Sequence, residues 1–278
     1  MTPMSGELLS ATIALWARWQ CTTCGPNTIR QRADIVERLR EHSGTDPRLA
    51  DVDAVAAFLA RPNLNPKSRA TYFRALSAWF EWLHRTGRIP ADPIVELRKP
   101  RGRQGIPDPL TAAEVAAVFG PGVRQDVRSM MSLALYAGLR CSEVARFRGD
   151  QIRDRQLIVT GKGDKPARLP LADELAELAG LYPQIGYWFP SPWHRRDHMV
   201  SENVSRVVAE RFRAVGVAHG SIHRLRHTYG TLVHRHCKDL RVTQQMLRHS
   251  NPNTTQVYTM VENEDMAGAL RGLPRLSA

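Results

Sequence analysis

The stretch QLIVTGKGDKPARLPL, residues Gln156–Leu171, decides the fold, because it interrupts a chain that otherwise has helical spacing. Two short segments without helical periodicity, Gln156–Thr160 and Ala167–Leu171, flank the Gly-containing run Gly161–Lys165. Short extended segments on either side of such a run are typical of a β-hairpin. We therefore predict one small antiparallel sheet in a mainly helical protein.

The first third of the chain repeats apolar residues at three- and four-residue spacing, as amphipathic helices do. The clearest run begins at Asn65-Pro66, where Asn suits the N-cap and Pro the first helical position. It ends before Gly87, and three shorter runs precede it. We predict four helices packed as a bundle, a first domain over residues 1–97. The apolar stripe of the longest run is Tyr72, Phe73, Leu76, Trp79, Phe80 and Leu83.

A basic segment rich in Gly and Pro, residues 98–109, follows the helical domain. Such a segment, without apolar periodicity, is typical of a domain linker. Its four cations have no apolar partners at helical spacing, so the segment either follows a DNA backbone or forms a solvated loop. The candidate DNA contacts in it are Arg98, Lys99, Arg101 and Arg103.

Residues 110–278 are predicted to form a second domain around the hairpin. Thr111 and Glu114 have the spacing of a capping box, which marks the start of a helix. A mainly apolar helix is expected from about Val127 to Leu139. The predicted fold class is therefore mainly α: a helical bundle, then a mostly α domain with one small antiparallel sheet.

The charge balance indicates an acidic partner. The 278 residues include 39 Lys or Arg and 27 Asp or Glu, which gives a net charge of +12 and a pI near 10.2. Clustered cations bind nucleic acid by releasing counterions from phosphates. No apolar run reaches the roughly 18–20 residues of a membrane span, and four cysteines are too few for a disulfide framework. We expect a cytoplasmic, DNA-associated protein without membrane partners.

Two segments carry polar residues that packing alone does not require. GLRCSE, residues 138–143, places an Arg at the mouth of a new helix, where the backbone already attracts phosphate. HRLRH, residues 223–227, follows a candidate cap at Ser221. His223 and Arg226 are three positions apart, so both lie on one side of the predicted helix.

A third segment, LRHSNPNTTQVYT, residues 247–259, is interrupted by a Pro and places Tyr258 about one turn inside a short helix. The order GLRCSE, GKGDK in a hairpin, HRLRH and then this segment resembles the tyrosine recombinases, the family of phage integrases and Xer-type resolvases. The motifs extend over roughly residues 110–261. The helical first domain and basic linker resemble that family's SAM-like core-binding domain and its connector.

The resemblance implies a reaction on DNA. One strand is cut to give a 3′-phosphotyrosyl link and a free 5′-hydroxyl, and a 5′-hydroxyl from a partner DNA then reseals the break. It also implies two arginines on the scissile phosphate, a lysine in the hairpin, two histidines and an acidic supporting residue. Matched motif by motif, the catalytic residues are Arg140, Lys162, His223, Arg226, His249 and Tyr258, with Glu143 in support.

Phosphoryl transfer explains these residue types. Two permanently charged guanidinium groups stabilise the negative charge on the phosphate oxygens. Tyrosine has a pKa of about 10 and needs a base or a cationic surround; His223 and His249 are candidates for base and hydrogen-bond donor, and their roles stay open. A Lys can protonate the leaving 5′-oxygen better than an Arg, and the family register favours Lys162 over Lys165. No cofactor, neither metal nor ATP, is expected.

Two positions depart from the family's pattern. Gly usually precedes the second histidine, where this chain has Arg248, and no Gly occurs at Cys237-Lys238, where one is common. These departures leave the local backbone shape open. We expect Arg248, like Lys165 in the hairpin turn, to add a contact with DNA.

The resemblance also implies partners. They are double-stranded DNA core sites, and a homo-tetramer assembled on DNA from a protein that is monomeric in solution. An accessory DNA-bending or directionality protein is a further candidate partner. A helix predicted at residues 260–270 docks on a neighbouring protomer or folds back on its own domain. The chain starts close to its first predicted helix, so no arm-binding domain is expected.

Integration or excision of a phage or other mobile element in a bacterial host is the favoured function. The alternative is Xer-like resolution of chromosome or plasmid dimers. A type IB topoisomerase has a similar site but rejoins the strand that it cut. A non-catalytic DNA-binding protein would lack the tyrosine or an arginine, and all of them are present.

Overall fold

A computed structural model of the protein describes residues 4–100, 108–160, 166–191 and 197–248. It divides into two compact units, Met1–Gly105 and Ile106–Ala278, and the division falls inside the predicted linker. The functions assigned to the two domains stay predictions. The predictions that lie outside the described residues concern Arg101, Arg103, Lys162, Lys165, His249, Tyr258 and the helix at residues 260–270.

The described part of the first unit forms four helices, as the apolar spacing predicts. They are α1 (Met4–Gln20), α2 (Pro26–Ser43), α3 (Val52–Ala60) and α4 (Pro66–Arg85). The predicted cap of α4 is confirmed, because the Asn65 side chain accepts a hydrogen bond from the Ser68 N–H at 2.8 Å. Helix α4 packs against α2 and α3.

The core of the first unit is aromatic. Trp16 of α1 and Trp79 of α4 are fully buried, and their ring centroids lie 5.0 Å apart in an edge-to-face arrangement. An aromatic pair of this kind contributes about 0.5–1.5 kcal/mol beyond the burial of its area. These tryptophans hold the bundle together and are not available to stack on DNA bases.

The second unit is mostly helical with a small sheet. Two of its helices begin as the sequence predicts: α5 with a capping box between Thr111 and Glu114, and α10 with the Ser221 side chain accepting from the Arg224 N–H at 3.1 Å. The helices in its described residues are α5 (Ala112–Phe119), α6 (Gln125–Tyr136), α7 (Cys141–Ala145), α8 (Asp173–Ala179), α9 (Ser201–Ala214), α10 (Ile222–Cys237) and α11 (Leu240–Leu247).

Helix α6 lies at the centre of this unit and packs against α8, α9 and α10. It ends at Tyr136, before the predicted end at Leu139. The reason is local: Gly138 has a φ of +58°, a left-handed conformation in which a right-handed helix cannot continue. The chain therefore turns after α6 and starts α7 at Cys141.

The hairpin is confirmed and gains a third strand. Strands β1 (Ile152–Arg153), β2 (Gln156–Thr160) and β3 (Pro166–Pro170) form an antiparallel sheet in the order β1-β2-β3. Leu157 and Leu169 are directly paired and buried. They anchor one face of the sheet to the core, while β1 is too short to show a pattern in the sequence.

Candidate active site

Arg140 and Glu143 occupy the first turn of α7. Arg140 is the N-cap residue, and its backbone N–H donates to Oε2 of Glu143 at 2.8 Å. Its guanidinium Nη1 donates to Oε1 of the same carboxylate at 2.9 Å. The Arg140 side chain is 36% exposed and that of Glu143 only 8%. One carboxylate therefore holds both ends of Arg140 while leaving part of its guanidinium open to a ligand.

Helix α10 carries the second predicted arginine. Arg226 is 2% exposed, and its guanidinium donates to the backbone carbonyls of Gly138 and Leu247. Gly138 lies in the turn between α6 and α7, and Leu247 is the last residue of α11. Arg226 thus ties three segments of the second unit together, including the turn that leads into Arg140.

The side chain of Arg248 is buried in the second unit and not exposed as a DNA contact requires, so the expectation of a DNA contact there is corrected. Its side chain is 4% exposed, and Nη2 donates to Glu143 Oε2 at 2.8 Å and to the Gly138 carbonyl at 3.1 Å. Nη1 donates to the Ala137 carbonyl at 3.2 Å. The physical reason is the buried carboxylate of Glu143, which attracts the guanidinium into the protein.

The backbone shape that the sequence left open is now defined. Arg248 ends α11 with a φ of +54°, and Lys238 ends α10 with a φ of +50°. Both are left-handed helix ends, the conformation for which Gly is favoured. Arg248 and Lys238 therefore adopt the left-handed conformation that a glycine would adopt more easily, which costs about 1–2 kcal/mol of conformational free energy at each position.

The surroundings of Glu143 keep its carboxylate ionised. Burial by itself raises the pKa of Glu143, but the nearby charge of Arg248 and the hydrogen bond and charge of Arg140 outweigh it. The net result is a pKa below the usual value of 4.5. Glu143 is therefore an anion at neutral pH and a fixed acceptor for two guanidinium groups.

His223 and Arg226 lie on the same helix but in different environments. His223 is exposed, whereas Arg226 is buried. The ring of His223 packs against that of His227, with centroids 4.2 Å apart and nearly perpendicular planes. The imidazole of His223 is therefore accessible from solvent, and its catalytic role stays a prediction.

Three tyrosines in the described residues of this unit are poor nucleophiles. Burial raises the pKa of Tyr229 to about 12 despite the charges of Arg248 and Arg226, and burial also raises the pKa of Tyr136 and Tyr182. A phenol that holds its proton so firmly does not attack a phosphate. The family motif makes Tyr258, which lies outside the described residues, the candidate nucleophile, and that role stays a prediction.

The remaining predicted contacts are only partly described. Arg98 and Lys99 are exposed, as a contact with a DNA backbone requires, and that role stays a prediction. Within residues 4–100, 108–160, 166–191 and 197–248, no group of three or more His, Cys, Asp or Glu side chains could hold a metal ion. No helix in these ranges has the length and apolar character needed to cross a membrane.

Two interactions escaped the sequence reasoning. One is the burial of Arg248, for which the only signal was a cation where the family pattern has Gly. The other is Arg224, which lies 3.0 Å from Glu114 Oε1 and 3.2 Å from Asp108 Oδ2. Arg224 thus joins α10 to the start of α5 and to Asp108, near the end of the predicted linker. Nothing in the local sequence pairs residues more than a hundred positions apart.

Comparison with known proteins identifies relatives of this architecture. A family model described as the phage integrase family matches residues 123–265. The tyrosine recombinase XerD of Pseudomonas putida is 30% identical over 245 residues, which cover 80% of this chain and 81% of the relative. The tyrosine recombinase XerC of Chromohalobacter salexigens is 30% identical over 257 residues, 86% of each chain.

Solved structures have the same fold. The integrase from mycobacterium phage Brujita is 32% identical, with a TM-score of 0.51 over 95% of this chain and 94% of that one. A lambda integrase fragment, solved as a dimer bound to a COC′ core site, is 20% identical, with a TM-score of 0.72 over 88% of this chain and 96% of that one. The second likeness concerns the fold alone.

Proposed function

We propose, from the fact that this chain belongs to the phage integrase family of tyrosine recombinases, that it integrates or excises a phage or another mobile element. Members of this family are DNA strand transferases, and so is this protein. The role in a mobile element is supported by the 32% identity to a mycobacteriophage integrase over 95% of the chain. The DNA sites, in this proposal, are short double-stranded core sites.

The observation that carries the proposed site is the convergence of two arginines. Arg140 and Arg226 come from α7 and α10, yet Arg226 donates to the carbonyl of Gly138, two residues before Arg140. Both guanidinium groups are held by carbonyl or carboxylate acceptors. A fixed pair of cations stabilises charge that develops on a phosphate without reorganising first.

The proposed reaction begins with attack of the Tyr258 oxygen on the scissile phosphorus. The bond from phosphorus to the 5′-oxygen breaks, and a bond from phosphorus to the tyrosine oxygen forms. The phenol proton passes to a histidine, His223 or His249, and Lys162 donates a proton to the departing 5′-oxygen. In the second step a 5′-hydroxyl of the partner strand attacks the phosphotyrosine and releases Tyr258. The number of phosphodiester bonds is conserved, so the chemistry is balanced without an external energy source.

Resolution of chromosome or plasmid dimers is the second candidate function. It is favoured by the XerD and XerC relatives, which are 30% identical over about four-fifths of the chain. The two candidates differ in their DNA: a mobile element recombines two unlike attachment sites, and a resolvase recombines two copies of one site. A topoisomerase would relax supercoils without exchanging strands between DNAs.

Covalent trapping tests the proposal. Duplexes from the DNA that flanks the gene, each nicked so that cleavage releases a short fragment, are incubated with the protein and separated under denaturing conditions. An adduct that maps to Tyr258 supports the proposal. An adduct that maps to another residue contradicts the proposed nucleophile. Exchange between two labelled duplexes then separates recombination from relaxation.

A further inference from the structure

Among the described arginines of the candidate site, Arg248 and Arg226 are buried and Arg140 is partly exposed. The side chain of Arg248 points into the protein from the end of α11. Its guanidinium donates to Glu143 Oε2 at 2.8 Å, to the Gly138 carbonyl at 3.1 Å and to the Ala137 carbonyl at 3.2 Å. All three acceptors belong to the segment that leads into and forms α7. The end of α11 is thereby tied to the segment that carries Arg140.

Glu143 is shared between two arginines. Oε1 accepts from Arg140 Nη1 at 2.9 Å, while Oε2 accepts from the Arg140 backbone at 2.8 Å and from Arg248 Nη2 at 2.8 Å. Each oxygen therefore has a fixed partner, and the carboxylate cannot rotate without losing a charge-assisted bond. The orientation of Arg140 depends on that carboxylate, and so it depends on Arg248.

The charge of Arg248 also affects the candidate site. A carboxylate that orients an arginine also cancels part of the positive potential that a phosphate would meet. With Glu143 as the single anion among Arg140, Arg226 and Arg248, the cluster keeps a net charge of two positive units. Without Arg248 the same cluster would have one. The positive charge of Arg248 thus compensates for the negative charge of Glu143, which would otherwise lower the positive potential beside Arg140.

The backbone at this position has no need of an arginine. Its φ of +54° suits Gly, and a buried guanidinium is expensive to desolvate. The strained backbone and the desolvated guanidinium are offset by the hydrogen bonds that Arg248 donates to Glu143, Gly138 and Ala137. In the proposed reaction Arg248 does not contact the phosphate.

We propose that Arg248 is a positioning residue of this recombinase, which orients Arg140 through Glu143 and restores the positive potential of the site. The inference rests on the proposed function of Arg140. Arg248 therefore affects the rate of strand cleavage, whereas a surface cation that contacts DNA affects DNA affinity.

The test separates DNA binding from cleavage. Arg248→Gly removes the guanidinium and relieves the left-handed backbone, and Arg248→Lys keeps a charge but cannot reach three acceptors. Lys238→Gly is the matched control, because it makes the same change at the other left-handed helix end, where the side chain is exposed. Each variant is measured for its Kd on the nicked flanking duplex and for single-turnover cleavage at saturating DNA.

We expect Arg248→Gly to slow cleavage by roughly tenfold or more with a Kd within about twofold of the unaltered protein, and Arg248→Lys to recover part of the rate. Lys238→Gly should cleave normally. Normal cleavage by Arg248→Gly, or a loss confined to Kd, overturns the inference. If the unaltered protein forms no adduct on these duplexes, the proposed function fails, and the role of Arg248 fails with it.

A second variant guards against a folding defect. In the Glu143→Gln background no carboxylate remains to be neutralised, so Arg248→Gly should slow cleavage less there than in the unaltered protein. An equal loss in both backgrounds contradicts the route through Glu143. Thermal unfolding of every variant accompanies the kinetics. A fully folded Arg248→Gly protein with slow cleavage supports positioning and not simple loss of structure.

Discussion

The ring of Tyr229 occupies the space that a side chain on residue 138 would fill. A Cβ added to Gly138 would lie 2.5 Å from Cδ1 of Tyr229, closer than carbon atoms approach in proteins. The contact places the Tyr229 ring of α10 directly against the turn before α7. The carbonyl of Gly138 can then accept from both Arg226 and Arg248, so the packing of one glycine sets the position of the candidate site.

Gly138→Ala should therefore impair both stability and cleavage. The substitution combines a left-handed backbone, φ +58°, with an overlap on the Tyr229 ring, and we expect a loss of about 2–4 kcal/mol in the free energy of unfolding. Urea unfolding followed by circular dichroism measures it. Gly122→Ala is the control, because its φ is +78° but a Cβ there meets open space. Its cost should be about 1 kcal/mol. Equal losses for the two variants would exclude the Tyr229 contact as a cause.

Tyr258→Phe should abolish the covalent adduct while leaving DNA binding intact. The phenol oxygen is the proposed attacking atom, and its removal changes neither the charge nor the size of the side chain appreciably. Tyr187→Phe is the matched control: Tyr187 lies in the same unit and packs against Arg148 and His198. The measurement is denaturing electrophoresis on nicked flanking duplexes. An adduct of Tyr258→Phe equal to that of the unaltered protein would assign the nucleophile elsewhere.

Lys162→Arg should slow cleavage by about a hundredfold or more, because an arginine with a pKa above about 12 gives up its proton too reluctantly to serve the leaving 5′-oxygen. Lys165→Arg should leave the rate close to normal if the family register is correct. Both substitutions keep the charge of the hairpin turn, so DNA affinity acts as an internal control in a filter-binding assay. A larger defect for Lys165→Arg would shift the general acid to that residue.

The stability of the protein should depend on Glu143 at low pH. Its pKa is lowered in the folded protein, so the folded state binds a proton there less readily than the unfolded chain, whose pKa is about 4.5. The stabilisation is complete above pH 4.5 and is lost as the pH falls through the lower, folded value. Urea unfolding at several values between about pH 3 and pH 6 measures how the free energy of unfolding changes with pH.

Glu143→Gln should flatten that slope and lower stability at neutral pH, where two arginines lose their anion. Glu81→Gln serves as a control, because Glu81 is exposed and pairs with Arg85 at 3.7 Å, an interaction that contributes little. Identical slopes for the unaltered protein and Glu143→Gln would contradict the lowered pKa.

Local features could be predicted because neighbouring residues determine them. The Asn65 cap, the capping box at Thr111 and Glu114 and the cap at Ser221 each depend on a side chain and a backbone N–H within three positions. The hairpin around the Gly-rich run is likewise local. The predicted end of α6 at Leu139 was wrong because Gly138 has a left-handed conformation, which the apolar spacing of the helix does not show.

The sequence by itself determined the family and the mainly α class with one small sheet, because these follow from short motifs in a fixed order. The catalytic roles of Arg140 and Arg226 follow from the same motifs and stay predictions. Only the tertiary structure decided what the Arg248 side chain contacts. Its partner Glu143 is 105 positions earlier in the chain, and a surface cation and a buried one look alike in sequence. The difference lies in the desolvated carboxylate that folding brings to it, since a buried anion attracts a guanidinium far more strongly than water-screened phosphates at a distance.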